Sequence, residues 1–257
     1  MPVITLLSDF GTRDYFAGAV KGVMLSLNPE AMLVDITHEI PAQDIFTGAF
    51  TLGQAYSCFP PGTIHFAVVD PGVGTARKVL AATAGGHYFV APDNGILTYV
   101  MEANEDFVAY EVTADHYFRK PVSATFHGRD VFAPVAAWIS RRIDLRQFGP
   151  VLASPVRLQI PALKRVQDAL IQGTVLAVDR FGNLVTNLKP DDIPAQFRMM
   201  AGQREITGLY KTYDEGKPGE VFVVPGSAGF LEIAVKGGSA AAMLNLRPGA
   251  PVGIILK

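Results

Sequence analysis

Polar clusters set directly after apolar, strand-like runs hold most of the residues in this sequence that could do chemistry. The first is Ser8-Asp9-Phe10-Gly11-Thr12-Arg13-Asp14, between the run at residues 3–7 and a helical pattern. Asp9 stands where ligands of open α/β sheets bind, outside the carboxyl end of a strand. Asp14 could equally cap the helix that follows. The second cluster, Asp70-Pro71-Gly72-Val73-Gly74-Thr75-Ala76-Arg77, pairs a carboxylate at a strand end with an arginine across a glycine loop. That is the wall of a polar pocket, or a tight turn closed by a surface ion pair worth about 0–1 kcal/mol. In the third, Ala124-Thr125-Phe126-His127-Gly128-Arg129-Asp130, His127 is the histidine set among glycine, arginine and aspartate ahead of a helix. His38, His65 and His87 sit in or beside strand-like segments and read as structural, and His116 as a surface loop residue. Two further clusters lie later in the chain. Asp179-Arg180-Phe181-Gly182-Asn183 also has the composition of a plain hairpin turn. Pro225-Gly226-Ser227-Ala228-Gly229-Phe230-Leu231-Glu232 precedes a strand-like run.

The elements that must position these clusters fall into two classes. Over residues 1–150, strand-like runs at 3–7, 32–36, 63–69, 79–84, 88–91 and 107–112 alternate with helical periodicity at 14–27, 44–58 and 128–143. Several of the runs are apolar on both faces, as in a parallel sheet covered on both sides. This predicts an α/β domain with a mostly parallel, Rossmann-like central sheet. Residues 151–165, with Pro155 and Pro161, read as a linker. Residues 166–257 carry short strand-like runs at 171–178, 183–188, 205–209, 220–224, 229–235 and 251–256, with one short helix at 238–244. That pattern predicts an all-β barrel domain.

Composition removes several classes of function. The chain has 257 residues, 22 basic against 24 acidic, and a formal charge of −2, which leaves no broad basic surface for nucleic acid. One cysteine, Cys58, excludes an internal disulfide and any multi-cysteine metal site. No His-x-His or His-x-x-x-His spacing supports a histidine metal site, and the glycine loops match neither the dinucleotide fingerprint nor the P-loop. No apolar run is long enough to span a bilayer, and Asp9 interrupts the N-terminal run too early for a signal peptide. The expectation is a cytoplasmic protein with no metal, no membrane partner and no nucleic-acid partner.

Taken together, SDFGTRDYFAGAVKG, VVDPGVGTAR, TFHGRDVFAP, VDRFGNLVTN and GFLEIAVKGGSA resemble, in order and across essentially the whole chain, the S-adenosylmethionine hydroxide adenosyltransferase family. That family comprises adenosine-forming S-adenosylmethionine hydrolases related to fluorinases and chlorinases. The resemblance implies an α/β domain, a β-barrel, and a homotrimer whose active sites combine the first domain of one subunit with the second domain of its neighbour. It places the catalytic set on Asp70, Arg77 and His127, and the ribose-binding aspartate on Asp9. Asp14 falls near the methionine end. Asp179 and Asn183 correspond to contacts with the methionyl and adenine parts. Phe181 and Tyr213 match aromatic positions flanking adenine, and Ser227, Glu232, Val235 and Gly237 match the remaining edge contacts. No cofactor is implied, since S-adenosylmethionine is itself the substrate. Halogenating relatives carry Tyr in place of Asp70, and Tyr-Ser or Tyr-Gly in place of His127-Gly128, so the pattern here is the hydrolase one. They also carry an arginine for the methionine carboxylate where this chain has Ala228.

The residue types suit the implied reaction. A sulfonium is already a good leaving group, so the task is to place water in line behind the ribose C5′ carbon. Water is a poor nucleophile, with a bulk pKa of about 15.7. Arg77 would favour hydroxide beside it, and His127 or Asp70 could take the proton. Asp9 can accept from both ribose hydroxyls. Asp14 and Asp179 complement a substrate bearing an ammonium and a sulfonium. Two other readings share these residues: a non-enzymatic S-adenosylmethionine or adenosine binder, and a halide-dependent 5′-halogenase.

Overall fold

Val3-Ile4-Thr5-Leu6-Leu7 and Ile64-His65-Phe66-Ala67-Val68 are rich in branched and aromatic side chains, which favour extended backbone buried on both faces. In a computed structural model, which describes residues 1–166, 169–194 and 197–256, these runs are neighbouring central strands. The chain divides into two compact units, Met1–Leu158 and Gln159–Lys257. The division falls inside the stretch expected to be a linker. Residues 151–158 pair with the first unit through Leu152 N–H to Ala109 O and Leu158 N–H to the Thr98 hydroxyl.

The first unit is built on a six-stranded sheet. Its strands are β1 (Val3–Ser8), β2 (Met32–Thr37), β3 (Ile64–Val68), β4 (Val79–Ala84), β5 (His87–Pro92) and β6 (Val108–Glu111), in the order β2-β1-β3-β5-β4-β6. The pairs β1–β2, β1–β3 and β3–β5 run parallel, and β4 runs antiparallel to β5 and β6. Side chains alternate between two cores. Ile4, Leu6, Phe66 and Val68 join the apolar cluster containing Val20 and Met24 of α1 (Phe16–Leu27) and Val135 and Ala136 of α4 (Ala133–Ser140). Leu7, Ala67 and Val69 join the cluster containing Ala49 and Leu52 of α2 (Ile45–Ala55) and Val100 and Met101 of α3 (Thr98–Ala103). From β1 the chain crosses through α1 to β2 on one side, then returns through α2 to β3 on the other. The strand order therefore reverses between β1 and β3, and their carboxyl ends flank the crevice where such sheets bind ligands.

The mostly parallel sheet and its covering helices follow the expected architecture, with local departures. The helix expected at 128–143 opens with a π-helical turn, Gly128–Phe132, and stops at Ser140, where Arg142 adopts φ 67°. The short α3 gave too little periodicity to be foreseen. Helix α1 begins only at Phe16, its N-cap Tyr15 makes no side-chain capping bond, and Asp14 is exposed beside it. Asp14 is thus no helix cap.

The second unit is an antiparallel, nearly closed barrel-like sheet. Its strands are β7 (Lys164–Val166), β8 (Leu170–Val178), β9 (Leu184–Thr186), β10 (Arg198–Ala201), β11 (Arg204–Ile206), β12 (Val221–Pro225), β13 (Leu231–Val235) and β14 (Pro251–Ile255). The order is β11-β10-β14-β8-β9-β13-β12, with β7 also on β8. Just beyond β11, Leu209 bridges Val223 of β12, which brings the two ends of the sheet together. Val175, Leu184, Ile233, Val252 and Ile254 fill the interior. The expected short helix is α5 (Ala240–Leu244), with Ser239 accepting from Ala242 N–H as its cap. Strands β7 and β10 went unforeseen, because their short polar or methionine-containing runs lack a clear alternation.

Candidate active site

Three loops meet at the carboxyl ends of the central strands in the first unit. Gly74, at φ 78°, lies so near the second loop's neighbour that a Cβ there would stand 2.4 Å from Ala124 O. A Cβ on Gly128 would stand 2.8 Å from Phe10 Cζ. These glycines are thus required by close approach: one seats the Asp70 loop on the His127 loop, the other seats the His127 loop on the Asp9 loop. Phe10, Phe16 and Phe126 pack edge to face around the junction.

Asp70, Arg77 and His127 form one cluster. Arg77 Nε donates to both Asp70 oxygens at 2.9 and 3.0 Å, and Nη2 donates to Oδ2 at 2.5 Å. The same Nη2 reaches His127 Nδ1 at 2.9 Å. The Asp70 and Arg77 side chains are only 7% and 10% exposed, so this is no solvated turn ion pair. Phe132 lies under the guanidinium, its ring centre 5.0 Å from Cζ. A guanidinium can only donate, so His127 Nδ1 accepts and the ring proton of the neutral imidazole sits on Nε2. Burial, and then the charge of Arg77, hold the His127 pKa below its ordinary value, against the opposing pull of Asp70 and Asp130. The neutral ring is therefore the resting form.

Asp130, fully buried, anchors the third loop. It accepts from Arg129 Nε at 2.7 Å, Arg119 Nη1 at 3.0 Å and Ser123 N–H at 2.9 Å. Burial alone would raise its pKa, but the Arg129, Ser123 and Arg119 hydrogen bonds outweigh it and bring the value to about 2. The sequence showed the Arg129-Asp130 pair but not its structural use. Asp9 is half-buried, and its Oδ2 accepts Gln43 N–H at 2.8 Å. Asp14 lies on the same loop, exposed, and takes part in none of these bonds.

In the second unit, Asp179, Phe181, Asn183, Tyr213, Ser227, Glu232, Val235 and Gly237 line one cavity of about 990 Å³. Every residue expected from this half of the chain is there. Phe181 is 78% exposed and Tyr213 47% exposed, leaving large aromatic surfaces for a planar ligand. Tyr213 OH donates to Glu232 Oε2 at 2.5 Å, and burial together with that carboxylate pushes the phenol pKa up. Glu232 fits because residue 226 is glycine, where a Cβ would stand 2.0 Å from Oε1. Asp179 accepts from Phe181 N–H, Asn183 N–H and Asn183 Nδ2, so the turn reading of this loop is also true: the aspartate shapes the loop that carries Phe181. Lys236, Asp214 and Gly238 complete the wall and were not foreseen, although Lys236 sits between two residues that were. Among the described residues, no three His, Cys, Asp or Glu side chains are grouped as metal ligands would be.

The first unit is an α/β domain with its polar loops at a strand-order reversal, and the second is a barrel with an aromatic-walled cavity; each is a place where such folds bind small ligands. Residues 4–149 match the SAM hydroxide adenosyltransferase N-terminal domain and residues 173–253 the C-terminal domain. The chain belongs to that family. It is 38% identical over 251 residues to the (R)-S-adenosyl-L-methionine hydrolase of Salinispora tropica, covering 96% of this chain and 95% of the relative. A fluorinase of Actinoplanes sp. is more distant, at 28% identity over 290 residues, covering 98% and 97%. An uncharacterized conserved protein from Thermotoga maritima has the same fold, with a TM-score of 0.91 and 36% identity over 98% of this chain and 99% of its own.

Proposed function

We propose that this protein hydrolyses S-adenosyl-L-methionine to adenosine and L-methionine, with water attacking the ribose C5′ carbon. The hydrolase relatives are named for the (R) epimer, and we assign this chain the same preference. The Asp70–Arg77–His127 cluster is the observation that carries the reading. Arg77 is fixed by Asp70 on one side and His127 on the other, a rigid donor against which a water can be oriented. Such positioning removes roughly 7–11 kcal/mol of barrier on effective-molarity estimates. The C5′–S bond breaks with its electron pair passing to sulfur, which leaves as the neutral thioether of methionine. The new C5′–O bond makes the oxygen cationic, so its proton is strongly acidic and passes to the Asp70 carboxylate. A strong general base is not needed.

Asp9 takes the ribose hydroxyls, and the Phe181–Tyr213 cavity takes adenine, with Asn183, Ser227, Glu232 and the backbone of Val235 and Gly237 on its edges. Asp14 and Asp179 supply negative charge toward the cationic substrate. The protein works in the cytoplasm as a homotrimer, in which the two sets of residues completing one site come from neighbouring copies. It needs no cofactor, and neither nucleic acid nor membrane takes part.

Incubating the protein with each sulfonium epimer in H₂¹⁸O, with chromatography and mass spectrometry of the products, tests the reading. Adenosine labelled at the 5′-oxygen is expected, with loss of roughly 10²–10⁴-fold in Arg77→Ala and His127→Ala. Binding without turnover, or a 5′-halo-adenosine formed only with added halide, would overturn it.

A further inference from the structure

The loop that carries Asp9 is held from behind by a hydrogen-bonded chain that the mechanism above leaves unused. Lys21 Nζ meets Asp35 Oδ2 at 2.6 Å, and Asp35 Oδ1 meets His38 Nε2 at 3.1 Å. His38 Nδ1 meets the Ser8 hydroxyl at 2.7 Å, and Ser8 Oγ lies 3.3 Å from Phe10 N–H. The proton directions follow from one end. The ionised Asp35 carboxylate can only accept, so His38 carries its ring proton on Nε2 and donates it there. Nδ1 of the neutral ring then accepts from the Ser8 hydroxyl, whose oxygen also accepts Phe10 N–H.

This is the connectivity of a Ser–His–Asp hydrolytic triad, but the geometry excludes that use. Ser8 is 0% exposed and His38 4% exposed, so no substrate carbonyl could reach the hydroxyl. What the chain reaches instead is Asp9, which lies between Ser8 and Phe10. The same two loops are stitched by Gly11 N–H to His38 O at 2.7 Å, Ile40 N–H to Ser8 O at 3.3 Å, and Gln43 N–H to Asp9 Oδ2 at 2.8 Å. Among the described residues, Asp9 Oδ1 has no protein partner.

We propose that His38 is a positioning residue for ribose recognition, holding Ser8 and so aiming the Asp9 carboxylate at the ribose hydroxyls. The inference rests on the reading of Asp9 as the ribose ligand. A grip on the ribose is equally strong before and during reaction, so its loss falls on KM rather than kcat.

The test compares binding of adenosine and 2′,3′-dideoxyadenosine by calorimetry, with KM and kcat measured alongside. The wild-type protein should prefer adenosine by roughly tenfold or more, the worth of hydrogen bonds to a charged group, and Asp9→Ala should abolish the preference. His38→Leu should shrink the preference toward that of Asp9→Ala and raise KM by a similar factor. His38→Asn, which returns an acceptor to the Nδ1 position, should recover most of both. Ser8→Ala removes the hydroxyl with little change in volume and should reproduce the His38→Leu loss, which keeps the proposal testable if His38→Leu does not fold. A preference that depends on Asp9 yet survives intact in His38→Leu and Ser8→Ala overturns the inference alone. A preference absent from the wild type, or indifferent to Asp9→Ala, overturns the ribose reading itself.

Discussion

At the scale of single residues, Arg77 is the centre of the first unit's site because it makes two kinds of contact with one planar group. Its Nε and Nη2 hold Asp70, and Nη2 also reaches His127 Nδ1. A lysine keeps the charge but has no fork to bridge both partners. Arg77→Lys should therefore fold and still lose about a hundredfold in kcat, checked by steady-state assay beside circular dichroism. His127 makes the matching prediction for pH. Burial first, and the Arg77 charge second, lower its pKa, so the neutral ring that accepts from Arg77 persists below pH 6.5. The acid limb of activity should lie below pH 6.5. In Arg77→Ala the imidazole titration followed by NMR should move upward, though only partly, because burial remains. An unchanged midpoint would show that Arg77 does not act on the ring. These residues were legible in the sequence as types in loops. Their bonds were not: Arg77 and His127 are 50 positions apart, Ser8 and His38 are 30 apart, Asp9 and Gln43 are 34 apart, and no local spacing encodes them.

At the scale of elements, the strands place the chemistry and the polar groups inside them carry a cost. The sequence showed the strands of the first unit nearly to the residue, since both-face apolar runs admit few alternatives. It showed less of the second unit, where short strands such as β10 owe their state to neighbours rather than to pattern. It also classed His65 and His87 as structural without saying how. Thr5 of β1 bonds His65 Nδ1 of β3 at 2.7 Å, and His65 Nε2 meets His87 Nδ1 of β5 at 3.1 Å. Burial, then the neighbouring His87, lowers the His65 pKa to about 3, and burial lowers that of His87. The unfolded chain takes up these protons as pH falls through about 6.5, while the folded chain resists both and refuses that of His65 until about pH 3, so their contribution is complete above pH 6.5 and lost on acidification. Urea unfolding should therefore show stability falling from pH 6.5 to pH 4.5, above the range in which carboxylates such as Asp130 titrate. His65→Gln should flatten that slope even where it lowers stability at pH 7. An equal slope in the variant would assign the acid loss to other groups.

At the scale of the whole molecule, the chemistry is divided between units of different class. The Asp70–Arg77–His127 cluster and Asp9, the proposed ribose ligand, belong to Met1–Leu158, and the aromatic cavity belongs to Gln159–Lys257. On the proposed reading, the groups that act at the ribose and C5′ lie in the first unit and those that hold adenine in the second, so the proposed activity requires the two sets to meet on one substrate molecule. If they meet across copies of the chain, two inactive variants can repair each other. Arg77→Ala destroys only the first set, and Phe181→Ala with Glu232→Ala destroys only the second. In a closed ring, each site draws one set from each of two neighbours. An equal mixture of the two variants, reassembled from denaturant, should then form an intact site about a quarter of the time, and activity should return to about that fraction of wild type. Mass photometry of the same sample should show trimers. Trimers with no recovery would place both sets of each site in a single chain, and recovery without trimers would call for a different ring.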